Sequence, residues 1–228
     1  MRIAKFIADN GICSRRQAEK LIEQGVVSIN TITIYSPAIN VNSEDIVIVN
    51  GKQLKHDNIP RLWLYYKPVG LITTHHDPHG RMTIFKTLES KLPRVISVGR
   101  LDINSEGLLL LTNSGDISRY YESPSSKIER IYKVRVFSDS SNEISIKDKT
   151  IVIDKIRYHI KSITLISHLR ANSWYEVILT EGKNREVRRI FEHLGFKVNR
   201  LIRTNFGQYS LGELKPGEFK EVSIVPSS

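Results

Sequence analysis

The segment 98–112, VGRLDINSEGLLLLT, narrows the choice of fold more than any other stretch of the chain. A strand ends at Gly99, a turn-rich stretch runs through 104–107, and an apolar strand follows over 108–112. Its neighbours follow the same pattern. Short apolar runs bounded by turn residues predict strands at 62–66, 71–74, 95–98, 131–136, 151–153, 160–167 and 174–180. Helical spacing predicts helices near 84–89, 116–122 and 184–194. Strands outnumber helices and hairpins are frequent. The expected class is therefore α+β, with a mixed, mostly antiparallel sheet flanked by helices. No internal repeat or low-complexity tract interrupts it.

The first fifty or so residues follow a different pattern. Ile3, Phe6 and Ile7 lie on one helical face, and Asn10-Gly11 ends that helix. Ser14 with Gln17 three residues on forms a capping box for a second helix, whose stripe is Ala18, Leu21 and Ile22. Gly25 stands where a left-handed C-terminal residue is wanted. Short strands are expected at 26–29, 32–34 and 46–49. A polar stretch with Pro60 then reads as a linker. The expected organisation is a small domain at 1–51, a linker at 52–61 and a larger domain at 62–228.

Charge indicates the partner. The 228 residues hold 34 Lys plus Arg against 24 Asp plus Glu, a net charge of +10 and a pI near 9.7. Such an excess suits a polyanion, with nucleic acid ahead of an anionic membrane. No apolar run approaches the roughly 20 residues that span a bilayer, and MRIAKFIADNG lacks the apolar core of a signal peptide. Cys13 is the only cysteine, which rules out a disulfide within the chain and a Cys-rich zinc site. A reducing cytoplasm is expected. His75, His76 and His79 cluster around Asp77 and Pro78. With turn composition and no helix to orient the rings, they read as a solvated loop, and no metal is expected. No coiled-coil pattern or large apolar surface stripe stands out, so a monomer is expected.

The excess charge is unevenly placed. Segment 183–203 holds seven basic and two acidic residues, half of the chain's excess. Asn184 is the expected N-cap of its helix, with Val187, Ile190, Phe191 and Leu194 as the buried stripe. Arg185, Arg188 and Arg189 crowd the first turns, which favours phosphate contact over a purely structural helix. Segment 1–51, by contrast, has five basic and five acidic residues. There the argument rests on placement: Arg15 and Arg16 lie beside the free backbone N–H groups of the second helix.

Two further groups carry chemistry. Arg100 and Asp102 share one side of the turn after Gly99. They form either a surface ion pair or turn cap, or a rigidly aimed functional carboxylate. Tyr132 sits among basic residues in RIYKVRV, a setting suited to stacking on a nucleobase and equally to ordinary packing.

RIAKFIADNGICSRRQAEKLIEQGVVSIN resembles the S4 RNA-binding domain. The resemblance implies that Lys5, Ser14, Arg15 and Arg16 face an RNA backbone. One departure is Asn30-Thr31 where such domains commonly have Asn-Gly; threonine disfavours positive φ, so a different turn type is expected. The strings LYYKPVGLITTHHDPHGRMTIF, SVGRLDINSEGLLLLTNSGD and WYEVILTEGKNREVRRIFEHLGFKVNRLIR resemble ribosomal RNA pseudouridine synthases of the RsuA/RluB type. That likeness extends over nearly the whole chain. It implies a uridine-isomerising enzyme without cofactor, with ribosomal RNA (23S before 16S) or an assembling subunit as partner. It further implies Asp102 as nucleophile, Arg188 as its ion-pair partner and Tyr132 on the uracil. Arg100, Lys183, Arg185, Arg189 and Arg203 are expected on the RNA backbone. The departure from the family is a shortened stretch at 139–155. A non-enzymatic S4-type assembly protein would explain the charge, but not Asp102 in its turn.

Overall fold

The structure is a computed structural model, and it describes residues 1–56, 59–137, 143–169 and 171–225. The N-terminal part holds two short helices, α1 (Ile3–Asp9) and α2 (Arg15–Glu23), and four strands, β1 (Val27–Ile29), β2 (Ile32–Thr33), β3 (Val47–Val49) and β4 (Lys52–Gln53). The strands pair antiparallel in the order β2-β1-β3-β4. Ile3, Ile7, Ala18 and Ile22 from the helices meet Val27, Val47 and Val49 in one core. Ser14 accepts from the Gln17 backbone N–H, and the Gln17 side chain accepts from the Ser14 N–H, so the predicted capping box is present. β4 occupies the start of the stretch that reads as linker, and Leu54 is buried in this first core.

The Asn30-Thr31 turn departs from expectation. Both residues take positive φ, 49° and 72°, as in the two-residue hairpin turn that Asn-Gly would make. Asn30 offsets the strain at Thr31: its side chain donates to Asp45 at 2.8 Å and accepts from the Ile46 N–H at 2.8 Å. The turn is thereby fastened to the chain just before β3.

The larger part contains β5 (Leu62–Lys67), α3 (Ile84–Leu88), β6 (Ile96–Ser97), β7 (Glu106–Thr112), α4 (Gly115–Glu122), β8 (Arg130–Phe137), β9 (Ile146–Ile153), β10 (Ile156–Leu169), β11 (Asn172–Leu179), α5 (Glu186–His193), β12 (Lys197–Phe206), β13 (Tyr209–Ser210) and β14 (Phe219–Val222). Among the described residues they build a ten-stranded sheet, β14-β5-β7-β12-β8-β11-β10-β9, with β13 beside β12 and β6 beside β7. Every strand pair in it is antiparallel except β12 with β7. The class is α+β, as the sequence predicts.

The four-leucine run explains the sheet's first half. Leu108 and Leu110 point to one face with Leu62, Leu64 and Tyr121 of α4, while Leu109 and Leu111 point to the other with Trp63, Tyr65, Ile84 and Leu88 of α3. All four leucines are fully buried, each contributing about 1.5–3 kcal/mol. The second half of the sheet packs Val134, Val136, Ile160 and Tyr175 against Val187, Ile190 and Phe191 of α5.

Three sequence expectations need correction. Residues 71–74 form no strand; Ile72 makes only an isolated bridge to Thr83. Asn184 is not the N-cap of α5; Arg185 is, with φ +50° and no side-chain cap bond. β12, β13 and β14 fall where the sequence predicts no strand. Two register shifts break the alternation of β12, one between Val198 and Arg200 and one between Arg203 and Asn205. Of the shortened stretch at 139–155, residues 139–142 lie outside the described residues, and β9 covers most of the remainder.

Candidate active site

β12 and β7 meet in parallel only at Ile202–Glu106 and Arg203–Gly107. Gly107 has φ +104°, and a Cβ there would lie 2.3 Å from the Arg203 carbonyl oxygen. Only glycine allows this approach. It fixes the loop before β7, residues 99–105, at the junction of the two half-sheets.

Asp102 lies in that loop. Thr73 donates to the Leu101 carbonyl at 2.9 Å, and Gly70 N–H to Ile103 at 2.8 Å. Ser105 N–H donates back to Asp102 at 3.0 Å, and Lys67 Nζ to the Ser105 carbonyl at 2.9 Å. Gly99 N–H donates to Glu122 at 2.9 Å. The backbone around Asp102 is thus held from four elements, while its side chain keeps 35% of its surface in the open. It lines a cleft of about 560 Å³ with Arg100, Tyr132, Arg185, Glu186 and Arg203.

The guanidinium within ion-pair distance is that of Arg185, 3.8 Å from Asp102 Oδ2. This corrects the expected pairing with Arg188. Arg188 donates to the Asn104 carbonyl at 2.8 Å and the Val198 carbonyl at 3.2 Å. It fastens the Asp102 loop to α5 and β12 rather than gripping the carboxylate. Burial and the charge of Arg185 pull its pKa down, and the charge of Asp102 opposes this.

The other expected residues separate into two groups. Arg100 is exposed at the cleft. Tyr132 is buried on β8 and paired in register with Arg203 on β12. Arg203 does not face outward: it is 3% exposed, donates to the Leu108 carbonyl at 2.7 Å, and leaves Nη2 without a partner at the cleft floor. Lys183 donates to the Arg157 carbonyl at 2.6 Å and pairs with Glu181 at 2.5 Å. Arg189 reaches the Tyr158 hydroxyl at 3.4 Å. In the N-terminal part, Arg15 and Arg16 are exposed, Ser14 caps α2, and Lys5 pairs with Asp116 of α4 at 2.6 Å. That last contact joins the two parts of the chain.

Some participants escape the sequence-based prediction. Lys67 is fully buried at the end of β5; burial pushes its pKa down to about 8, against the pull of Asp102 and Glu106. Its one signal is a lysine closing an apolar strand before Pro68. Glu186, at the start of α5, accepts from the Lys183 N–H at 2.9 Å. Burial and the neighbouring Glu181 push its pKa up to about 8. Among the described residues, no group of His, Cys, Asp and Glu could hold a metal ion, and no helix is long and apolar enough to cross a membrane. His75 is not simply a solvated side chain: its ring stacks on Phe85 at 3.6 Å.

A half-open carboxylate in a cleft lined by Arg100, Arg185 and Arg203 suits an anionic partner, and the class of protein follows from its relatives. The profile of RNA pseudouridylate synthases matches residues 61–193, and that of the S4 domain matches residues 1–47. An uncharacterized RNA pseudouridine synthase of Rickettsia felis is 54% identical over 222 residues, 97% of this chain and 96% of the relative. Ribosomal large subunit pseudouridine synthase B of Yersinia pestis is 36% identical over 231 residues, 98% of this chain and 73% of the relative. A crystal structure of a pseudouridylate synthase, 29% identical, superposes with a TM-score of 0.65 over 98% of this chain and 96% of the other. The chain belongs to the RNA pseudouridylate synthase family and carries an S4 domain ahead of the synthase domain. It is an isomerase that converts uridine to pseudouridine in RNA.

Proposed function

We propose that this enzyme modifies one uridine of large-subunit ribosomal RNA, with Asp102 as the nucleophile. The observation that carries the reading is Asp102 itself: a half-open carboxylate on a braced loop, 3.8 Å from Arg185, in a cleft of about 560 Å³. The likeness to the Yersinia enzyme, named for the large subunit, favours 23S over 16S RNA.

The target must leave its stack, at a cost of a few kcal/mol that is lower in looped RNA. Arg100, exposed at the rim, and Arg15, Arg16, Lys183, Arg185 and Arg189 offset that cost through the phosphates. Asp102 attacks C1′ as the bond to uracil N1 breaks, and the positive charge building on the sugar meets the carboxylate. The uracil turns while it is stacked on Tyr132. C5 then attacks C1′ and displaces Asp102, and the C5 proton is removed with the help of the Tyr132 hydroxyl while N1 gains one. Atoms and electrons balance within the nucleotide, so the step needs no cofactor. Arg185 sets its positive charge 3.8 Å from Asp102, while Arg188 holds the loop in register and adds its charge. The N-terminal domain, expected over 1–51, carries RNA to the catalytic domain at 62–228. We read the enzyme as a monomer of the cytoplasm.

Asp102→Asn tests this. RNA affinity is expected to stay within about twofold while pseudouridine, mapped by carbodiimide-dependent reverse-transcription stops, disappears. Substantial residual turnover rejects the nucleophile. Comparing purified 23S and 16S RNA as substrates decides the target; modification of 16S RNA alone overturns the large-subunit assignment.

A further inference from the structure

A second cavity of about 630 Å³ lies apart from Asp102, lined by the segment between β5 and β6. This is within the roughly 300–1,000 Å³ of sites that hold small ligands. Its wall is a stacked pair, His75 on Phe85, with ring centroids 3.6 Å apart and planes 10° from parallel. Burial against Phe85 and the charge of Arg94 push the His75 pKa down to about 4, so the ring is a neutral aromatic at physiological pH. Arg94 lines the same cavity and is half-buried, and it makes no ion pair or hydrogen bond among the described residues. By contrast, Arg81 is held in a fork by Asp77, at 2.7 and 3.1 Å. Lys86, also without an ion pair among the described residues, lies at the edge with Glu89.

A half-buried guanidinium without a carboxylate is a standing cost unless an anion visits it. Beside an aromatic pair, that anion is best matched by a nucleotide, which brings a phosphate for Arg94 and a base for the rings. The location favours the same ligand. Arg94 approaches the turn between α1 and α2, where a Cβ on Gly11 would lie 3.7 Å from the Arg94 Cβ. On the other side, Thr73, two residues before His75, holds the carbonyl of Leu101, next to Asp102. The segment that lines the cavity thus touches the turn between α1 and α2 at Arg94 and leads, two residues before His75, to the brace on the Asp102 loop.

We propose that this cavity seats a second nucleotide of the substrate RNA, one flanking the modified uridine, with its base against His75 and Phe85 and its phosphate on Arg94. The inference rests on the RNA-modifying role above and extends it to substrate recognition. A large-subunit RNA fragment carrying 4-thiouridine on either side of the target is bound to the full-length enzyme and irradiated. An adduct on the peptide containing His75 and Phe85 is expected. Arg94→Gln, which removes the charge without breaking an existing bond, is expected to raise KM about tenfold and lower the salt slope by about one, with kcat within twofold. Adducts confined to peptides bearing Arg100 or Tyr132 overturn the second seat, whatever the kinetics. An adduct with unchanged KM in Arg94→Gln overturns the role of Arg94. Pseudouridine yield from wild type on the same RNA is scored separately, so failure of this site and failure of the proposed substrate are distinguishable.

Discussion

Arg15 and Arg16 on α2 stand in solvent; Arg188 and Arg203, around the cleft, are 9% and 3% exposed. The residue type is the same and its work is different. On α2 the charge meets water, and among the described residues neither side chain makes a hydrogen bond or ion pair. Around the cleft the guanidinium groups hold backbone carbonyls: Asn104 and Val198 for Arg188, and Leu108, through Nε, for Arg203. Burial pulls the pKa of both inward groups down, yet an arginine remains charged at neutral pH. The inner pair therefore supplies both shape and a fixed positive field, whereas affinity is the role proposed for the outer pair.

The largest expected effect comes from attacking the junction that the inner arginines surround. Gly107→Ala places a methyl group 2.3 Å from the Arg203 carbonyl, on a residue with φ +104°. Relief requires separating β7 from β12, where the cleft is built. A loss of about 4 kcal/mol is expected from overpacking and backbone strain together, lowering Tm by on the order of 10 °C. A melting curve within 2 °C or so of wild type would show that the two half-sheets are joined less tightly than the structure has it.

Arg188→Ala comes next. It leaves the Asn104 and Val198 carbonyls without their donor, at about 1–3 kcal/mol, and lets the Asp102 loop move. A fall in kcat of about 100-fold is expected from misplacing Asp102, the proposed nucleophile, with the salt dependence of RNA binding unchanged. Arg188→Lys does not rescue, because an ammonium lacks the planar fork that spans two carbonyls. If the salt slope falls and kcat holds, Arg188 belongs with the outer arginines.

How much of this was visible in the sequence depends on whether the signal is local. The capping box at Ser14 and the four-leucine run each depend on neighbours within a few residues, and both are read correctly. β12 was missed because Lys197, Arg200 and Arg203 punctuate it and two register shifts break its period. Counting its charges then suggested phosphate contacts for Arg203, a side chain the fold turns inward. The pairing at Asp102 turned on a single dihedral: Arg185 takes φ +50°, which no residue pattern announces. Lys67 was hidden for a similar reason, since burial is decided by strands far away in sequence. Local chemistry was legible; which way an arginine points was not.

Glu186 sharpens the comparison through pH. Its folded pKa, about 8, lies above its unfolded value near 4.5. Between these pH values the folded protein keeps a proton that the unfolded chain releases, so its contribution is full below about pH 4.5 and is lost as pH rises through 8. Glu186→Gln imitates the protonated form and removes that loss. Wild-type Tm is expected to fall by a few degrees more than that of the variant between pH 5 and 8.5, and parallel curves would place Glu186 in a wetter setting than the cleft gives it.

The smallest effect belongs to the outer pair, and it is the one that isolates affinity from architecture. Arg15→Ala and Arg16→Ala together remove two cations that make no hydrogen bond or ion pair among the described residues. Two lost phosphate contacts reduce the salt slope by roughly 1.4–1.8 and weaken RNA binding by about tenfold near physiological salt. Neither Tm nor kcat at saturating RNA should change, because no carbonyl loses a donor and Asp102 keeps its braces. A drop in kcat would mean that the S4 helix pair helps to set the geometry of the cleft, with Lys5 to Asp116 as the contact through which it could do so.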